Sequence, residues 1–241
     1  AGLTDIVFGL HSAAGVHQWS KRVGGSGNDG GTLLLAHDDG SVTMAAYFSS
    51  PDLLWGTDTY STQGDRDIIV AHLSGAGEVE WTRTFGGTGS DTPLGIGTDA
   101  TGAVYLAGEI ESPTIDLGDG PLTVQGGSDG FLLKLSSSGD SVWGTLVGSQ
   151  EVDDDEATAL SVAPSGMIGL GGRFDAPSIT FGGDVLENAA DGMYDGYLVR
   201  MDPCFLLCQS DCGGKACGWD GCGGWCGSCA GQDACIDGEC V

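Results

Sequence analysis

The chain has 241 residues, of which 34 are acidic and 8 basic, for a net charge of −26. Such a surface repels nucleic acid and anionic lipid, whose binding needs Lys or Arg to displace counterions; cations, polycations and neutral sugars remain as partners. Hydrophobic residues at 40% against 17% charged exclude wholesale disorder, and the 45 glycines lack the three-residue period of collagen, so they mark tight turns.

In chain order, the first element is a short apolar run opening on Asp5, IVFGLH, followed by a small-residue turn and a partner run containing Trp19. The same pair recurs at Asp67-IIVAHL with Trp81 and at Asp129-GFLLKL with Trp143, and its first half returns at Asp195-GYLVRM. The three tryptophans are each 62 residues apart, with glycine four residues before (Gly15, Gly77, Gly139) and five after (Gly24, Gly86, Gly148). A fixed period of this length is the signature of one supersecondary unit repeated along the chain. Each apolar run reads as a strand covered on both faces, and each pair as a hairpin.

Between these hairpins lie others: TLLLAHDDGSVTMAAYF, PLGIGTDATGAVYLAGEI and ATALSVAPSGMIGLGGRF, turning at Gly40, Gly102 and Gly166. A longer connection follows, carrying Pro51, Pro113 and Pro177 and short extra strands such as TIDLG and LTVQG. No segment has a helical period. Leu10, His72, Lys134 and Arg200 share one column of the repeat, and three of them being basic or imidazole predicts a solvent-facing position.

Four strands in about 45–60 residues with Gly and aromatic punctuation is the pattern of a β-propeller blade, whereas a plain β-sandwich requires no such period. Residues 1–202 resemble the bacterial β-propeller repeat labelled SBBP. The nearest matches to its run D-x-F-v-x-K-L … G … W … f-G-G-s-G-x-D are Asp129-GFLLKL and Trp81-TRTFGGTGSD. The resemblance implies blades and a secreted or surface location, and no particular activity. Strand counting gives two strands (5–24), two four-strand units (32–87 and 92–148) and three strands (157–202), about three blades where a closed ring takes four to eight. An unfinished ring leaves open edges that pair with another chain, and a head-to-tail contact that does not close gives a filament.

All nine cysteines lie between Cys204 and Cys240, which divides the chain into a repeat domain (1–203, with units near 5–66, 67–128 and 129–194 and a partial unit 195–203) and a cysteine-rich module (204–241). This density belongs to an oxidising compartment, and a chain opening at Ala1-Gly2 reads as an exported product whose leader has been removed. No apolar stretch of about 18 residues is present to span a bilayer. Eight cysteines, Cys208, Cys212, Cys217, Cys222, Cys226, Cys229, Cys235 and Cys240, form a regular spacing read as disulfides of undetermined pairing. Zinc is the alternative at Cys226 and Cys229, but no second such pair is present and no histidine lies beyond His72. Cys204 stands outside the pattern, either cross-linked to another subunit or buried beside Phe205, Leu206 and Leu207. The run GGKACGWDGCGGWCGSC resembles small Gly-Cys modules at the ends of large secreted bacterial proteins, which implies a spacer, anchor or adhesive tip.

Candidate chemistry is sparse. Trp219 and Trp225 sit in a module too small to hide both, so they either stack on a sugar face or pack over disulfides. Acidic loops recur as GGSGND, GGTGSD and GSQEVDDDE, and the cluster Asp153, Asp154, Asp155 and Glu156 is the calcium candidate, set against ordinary acidic turns. GGSGND lacks the Lys-Ser/Thr and helix of a phosphate cradle. His11, His17, His37 and His72 lie in no catalytic motif, and the column Asp5, Asp67, Asp129 and Asp195 reads as strand-start caps. The expectation is a non-enzymatic, exported structural or adhesive repeat protein that associates with itself or with an extracellular glycan, without cofactor unless calcium binds. The alternative is a calcium-dependent carbohydrate-binding or carbohydrate-active protein.

Overall fold

The computed structural model describes residues 2, 4–149, 154–181, 184–189 and 193–201, and the backbone at 235–236 and 239–240. The described residues form an all-β structure, and no helix among them is long and apolar enough to cross a membrane.

The strands follow the repeat. β1 (Ile6–His11) and β2 (His17–Val23) form a lone hairpin. The first full sheet is the meander β3 (Asp29–Ala36), β4 (Val42–Phe48), β7 (Asp67–Leu73) and β8 (Val79–Phe85), interrupted by the small hairpin β5 (Leu53–Trp55) and β6 (Asp58–Tyr60). The second comprises β9 (Asp91–Thr98), β10 (Val104–Ile110), β13 (Asp129–Leu135) and β14 (Ser141–Val147), with the hairpin β11 (Thr114–Asp116) and β12 (Pro121–Thr123) between. The third contains β15 (Asp155–Val162), β16 (Ile168–Phe174) and β19 (Asp195–Met201), with β17 (Ser178–Phe181) and β18 (Asp184–Glu187) inserted. In the cysteine-rich module, β20 (Cys235–Ile236) and β21 (Glu239–Cys240) pair antiparallel; the rest of residues 204–241, including Cys204, Trp219, Trp225 and Cys208 to Cys229, lies outside the described residues.

Register is held without slippage in the middle of each sheet. Val42 to Phe48 pair with Leu73 to Asp67, Val104 to Ile110 with Leu135 to Asp129, and Ile168 to Phe174 with Met201 to Asp195. Because side chains alternate faces with a period of two, this common register presents the same columns to the same side in every sheet. Ile69 and Ala71 point back to a core shared with Ile6 and Val23 of the first hairpin. Ile68 and Val70 point forward to a core shared with Leu106, Phe131 and Leu133 of the second sheet. Tyr105, Ala107 and Leu132 continue forward to Ala157, Leu170 and Phe174 of the third. The sheets therefore stack face to face in series. Double-sided burial is why β7 and β13 read as continuous apolar runs.

The Trp–Gly period has a different basis from the one the spacing suggests. Gly77 lies four residues before Trp81, yet it receives Trp19 of the preceding unit: a Cβ on Gly77 would lie 2.8 Å from that indole. One unit on, a Cβ on Gly139 would lie 2.7 Å from the ring of Trp81. Both glycines also hold a positive φ, 78° and 82°, so the absence of a side chain serves the turn and the neighbouring ring together. Trp19 Nε1 donates to Gly75 O at 3.4 Å and Trp81 Nε1 to Ser137 O at 3.0 Å. Ion pairs Lys21–Glu78 and Arg83–Asp140, both 3.1 Å, flank these clamps.

Candidate functional site

The recurrent loops after each Trp strand end on an aspartate that is buried and consumed by backbone groups. Asp91 Oδ2 accepts from Gly87 N at 2.9 Å and Ser112 Oγ at 2.6 Å, while Oδ1 accepts from Ser112 N at 3.2 Å. Asp29 does the same with Gly25 N, Ser50 Oγ and Ser49 N at 3.0, 2.7 and 3.1 Å. These carboxylates replace backbone partners that an irregular loop lacks.

The strand-start column is the second set of caps. Asp67 Oδ2 accepts from Gln63 N at 2.9 Å, Asp129 Oδ2 from Gln125 N at 3.1 Å, and Asp195 Oδ2 from Ala189 N at 2.7 Å. Asp67 and Asp129 are each 2% exposed, and among the described residues their Oδ1 atoms have no donor. The glycine five residues after each Trp exists to make room for them. A Cβ on Gly148 would lie 2.4 Å from Asp129 Oδ1 and 3.1 Å from Asp155 Oδ2, so two carboxylates border one small space. Burial, and then the neighbouring Asp91, push the Asp67 carboxyl up to about 6. Burial, and then Asp155, do the same to Asp129, also to about 6.

Within the calcium candidate, Asp153 lies outside the described residues, and the other three residues have separate partners. Asp155 Oδ2 accepts from Ser149 N at 2.6 Å, Glu156 pairs with Arg173, and the Asp154 amide donates to Asp175 Oδ1 at 2.7 Å. Among the described residues no three His, Cys, Asp or Glu side chains gather to hold a metal ion.

The column expected to face solvent is half-buried in its two central members, because a neighbouring hairpin supplies partners for the polar heads. Thr43 Oγ1 lies 2.8 Å from both His37 Nε2 and His72 Nδ1, and the His72 ring stacks on Trp81 with centroids 5.6 Å apart. Burial, then the adjacent His72, lower the His37 imidazole from its ordinary value. In the next unit the same positions hold Asp99, Tyr105 and Lys134. Asp99 Oδ2 accepts from Tyr105 Oη at 2.9 Å and from Lys134 Nζ at 3.2 Å. Burial alone would raise the Asp99 carboxyl, but hydrogen bonds from Thr101, Tyr105 and Lys134 outweigh it and hold it at about 2. Both clusters are polar plugs in a hydrophobic stack, and the Thr43 hydroxyl is shared between two imidazoles.

The third sheet departs from the other two. Val70 and Leu132 occupy the same forward-facing position in successive units and are 0% exposed, whereas Leu198, their counterpart, is 83% exposed. Around Leu198 the face is apolar and shallow: Met167, Gly169 and Val199 line a groove of ≈ 490 Å³ bordered by Arg200. The groove has no sheet against it among the described residues.

No family model matches the chain. Over 139 residues, 56% of its length, it is 28% identical to a Regulatory protein FlaEY of Caulobacter vibrioides, and the match spans 14% of that relative.

Proposed function

We propose that this chain is a structural repeat protein, built of propeller-type blades too few to close, which self-associates through the open face of its third sheet. The reading is non-enzymatic, and the cysteine-rich tail supports an exported setting. The single observation that carries it is Leu198, exposed where Val70 and Leu132 are sealed by a following sheet. Covering such a side chain contributes about 1.5–3 kcal/mol, and the glycines beside it leave the surface flat enough for a second sheet to approach.

Sedimentation velocity over a concentration series tests this. The wild-type chain is expected to show concentration-dependent assembly, and Leu198→Asp to stay monomeric with an unchanged melting temperature. A wild-type chain that remains strictly monomeric at high concentration ends the proposal.

A further inference from the structure

Each internal junction of the stack is made in the same way. Counted from the aspartate before or at the start of the inner strand, the third residue on points forward and the second points back. Phe8, Val70 and Leu132 pack forward on the next sheet, and Ile69, Phe131 and Tyr197 close backward on the one before.

These two columns run out at opposite ends of the molecule, and both are open there. Leu198, the last forward residue, is 83% exposed, and Val7, the first back-facing one, is 70% exposed. The counterparts of Val7, which are Ile69, Phe131 and Tyr197, are all buried. One molecule therefore carries both halves of its own junction, and neither half covers the other.

The turn of the first hairpin independently marks a neighbour missing on the Val7 side. Gly77 and Gly139 each receive an indole from the preceding unit, whereas a Cβ on Gly15 would meet nothing within 4 Å. The residue after each of these glycines also reaches back: Glu78 pairs with Lys21, and Asp140 with Arg83. After Gly15 that residue is Val16, and it is exposed. In a chain of 34 acidic residues, the position that is acidic at both internal junctions is apolar at the open end.

What fits an open back-facing column is an open forward one. Leu198 of one copy can sit on Val7 and Gly9 of another as Leu132 sits on Tyr197 and Val199 within the chain. Gly9 shares the face of Val7 on β1, and Gly169 lies beside Leu198. Both surfaces are thus low enough for sheets to pack at their usual spacing of about 10 Å. Pairing two third sheets face to face would instead cover Leu198 and leave Val7 bare.

We propose that copies of this chain join head to tail, the Leu198 face of one seated on the Val7 and Val16 side of the next, so that the stack of sheets continues between molecules. The inference rests on the self-association reading above and adds its partner surface and its polarity. A heterologous contact leaves one free face of each kind at the ends, so assembly does not stop at a dimer. Each copy carries a charge of −26, and association strengthens as salt screens it.

The test is sedimentation velocity at high salt on wild type, Val7→Asp, Leu198→Asp and an equimolar mixture of the two variants. Wild type is expected to grow past the dimer as concentration rises, and each variant alone to remain monomeric. The mixture is expected to give a dimer and nothing larger, because the intact Leu198 of one variant meets the intact Val7 of the other and both remaining faces are blocked. Both substituted side chains are exposed, so melting temperatures should match wild type; if Val7→Asp lowers its own, Val16→Asp on the same side replaces it. Assembly of Val7→Asp alone, with Leu198→Asp monomeric, overturns the head-to-tail contact and leaves self-association through the third sheet standing. A mixture that stays monomeric also overturns the contact. A wild-type chain that is monomeric throughout removes the self-association reading and this inference together.

Discussion

Acidification should stabilise this protein, and the strand-start aspartates say by how much. Asp67 and Asp129 titrate at about 6 in the folded chain against an ordinary 3.8. A carboxyl whose folded value is raised contributes stability that is fully present below 3.8 and is lost as pH rises through about 6. The gap from 3.8 to about 6 corresponds to about 3 kcal/mol for each carboxyl. Asp99 works in the opposite sense: held at about 2, its contribution is present above 3.8 and is lost only as pH falls through about 2. Stability should therefore climb as pH drops from about 7 to about 4, then fall in stronger acid. The overall charge of −26 pushes the same way, so a variant is needed to isolate the site. Asp129→Asn removes the titrating group while its amide oxygen still accepts from Gln125 N. Urea unfolding at pH 7.5 and at pH 4.5 supplies the comparison. The variant is expected to be up to about 3 kcal/mol more stable than wild type at pH 7.5 and to keep only about 1 kcal/mol of that advantage at pH 4.5. A variant-minus-wild-type difference that does not change with pH would refute the reasoning, since a buried carboxyl at about 6 cannot be silent across that window.

Two further substitutions probe the stacking of units. Gly139→Ala meets the Trp81 ring at 2.7 Å and a φ of 82°, whereas Gly15→Ala, at φ 76°, meets nothing within 4 Å. Thermal unfolding should show a loss of about 1 kcal/mol for the second and clearly more for the first, and equal losses would remove the indole clamp from the account. Lys134→Met leaves Asp99, a buried carboxylate, without its cation. A loss of about 3 kcal/mol is expected in urea unfolding at pH 7, shrinking on acidification as Asp99 takes up a proton; a loss that grows in acid would contradict it.

Much of the architecture was legible in the order of residues. The spacing of Trp19, Trp81 and Trp143 announces the unit, and the alternation around Gly40, Gly102 and Gly166 places the hairpins that β3–β4, β9–β10 and β15–β16 form. The two, four, four and three strands counted from pattern are those in the sheets. Local properties suffice for this, because strand and turn propensities act over a few residues.

Sites were less legible, and for one reason. Asp154, Asp155 and Glu156 are adjacent in sequence, but alternation along β15 and separate partners at Ser149, Arg173 and Asp175 send their neighbourhoods apart. His72 and Lys134 look like surface residues until Thr43 arrives from β4 and Asp99 from the turn after β9.

Sequence by itself determined the period, the strands and the double-sided apolar columns, since each depends on near neighbours. Tertiary structure alone decided that Gly77 serves Trp19 and that Asp129 faces Asp155 across Gly148. Those contacts join residues from different sheets, and stacking geometry, which no local propensity encodes, is what brings them together.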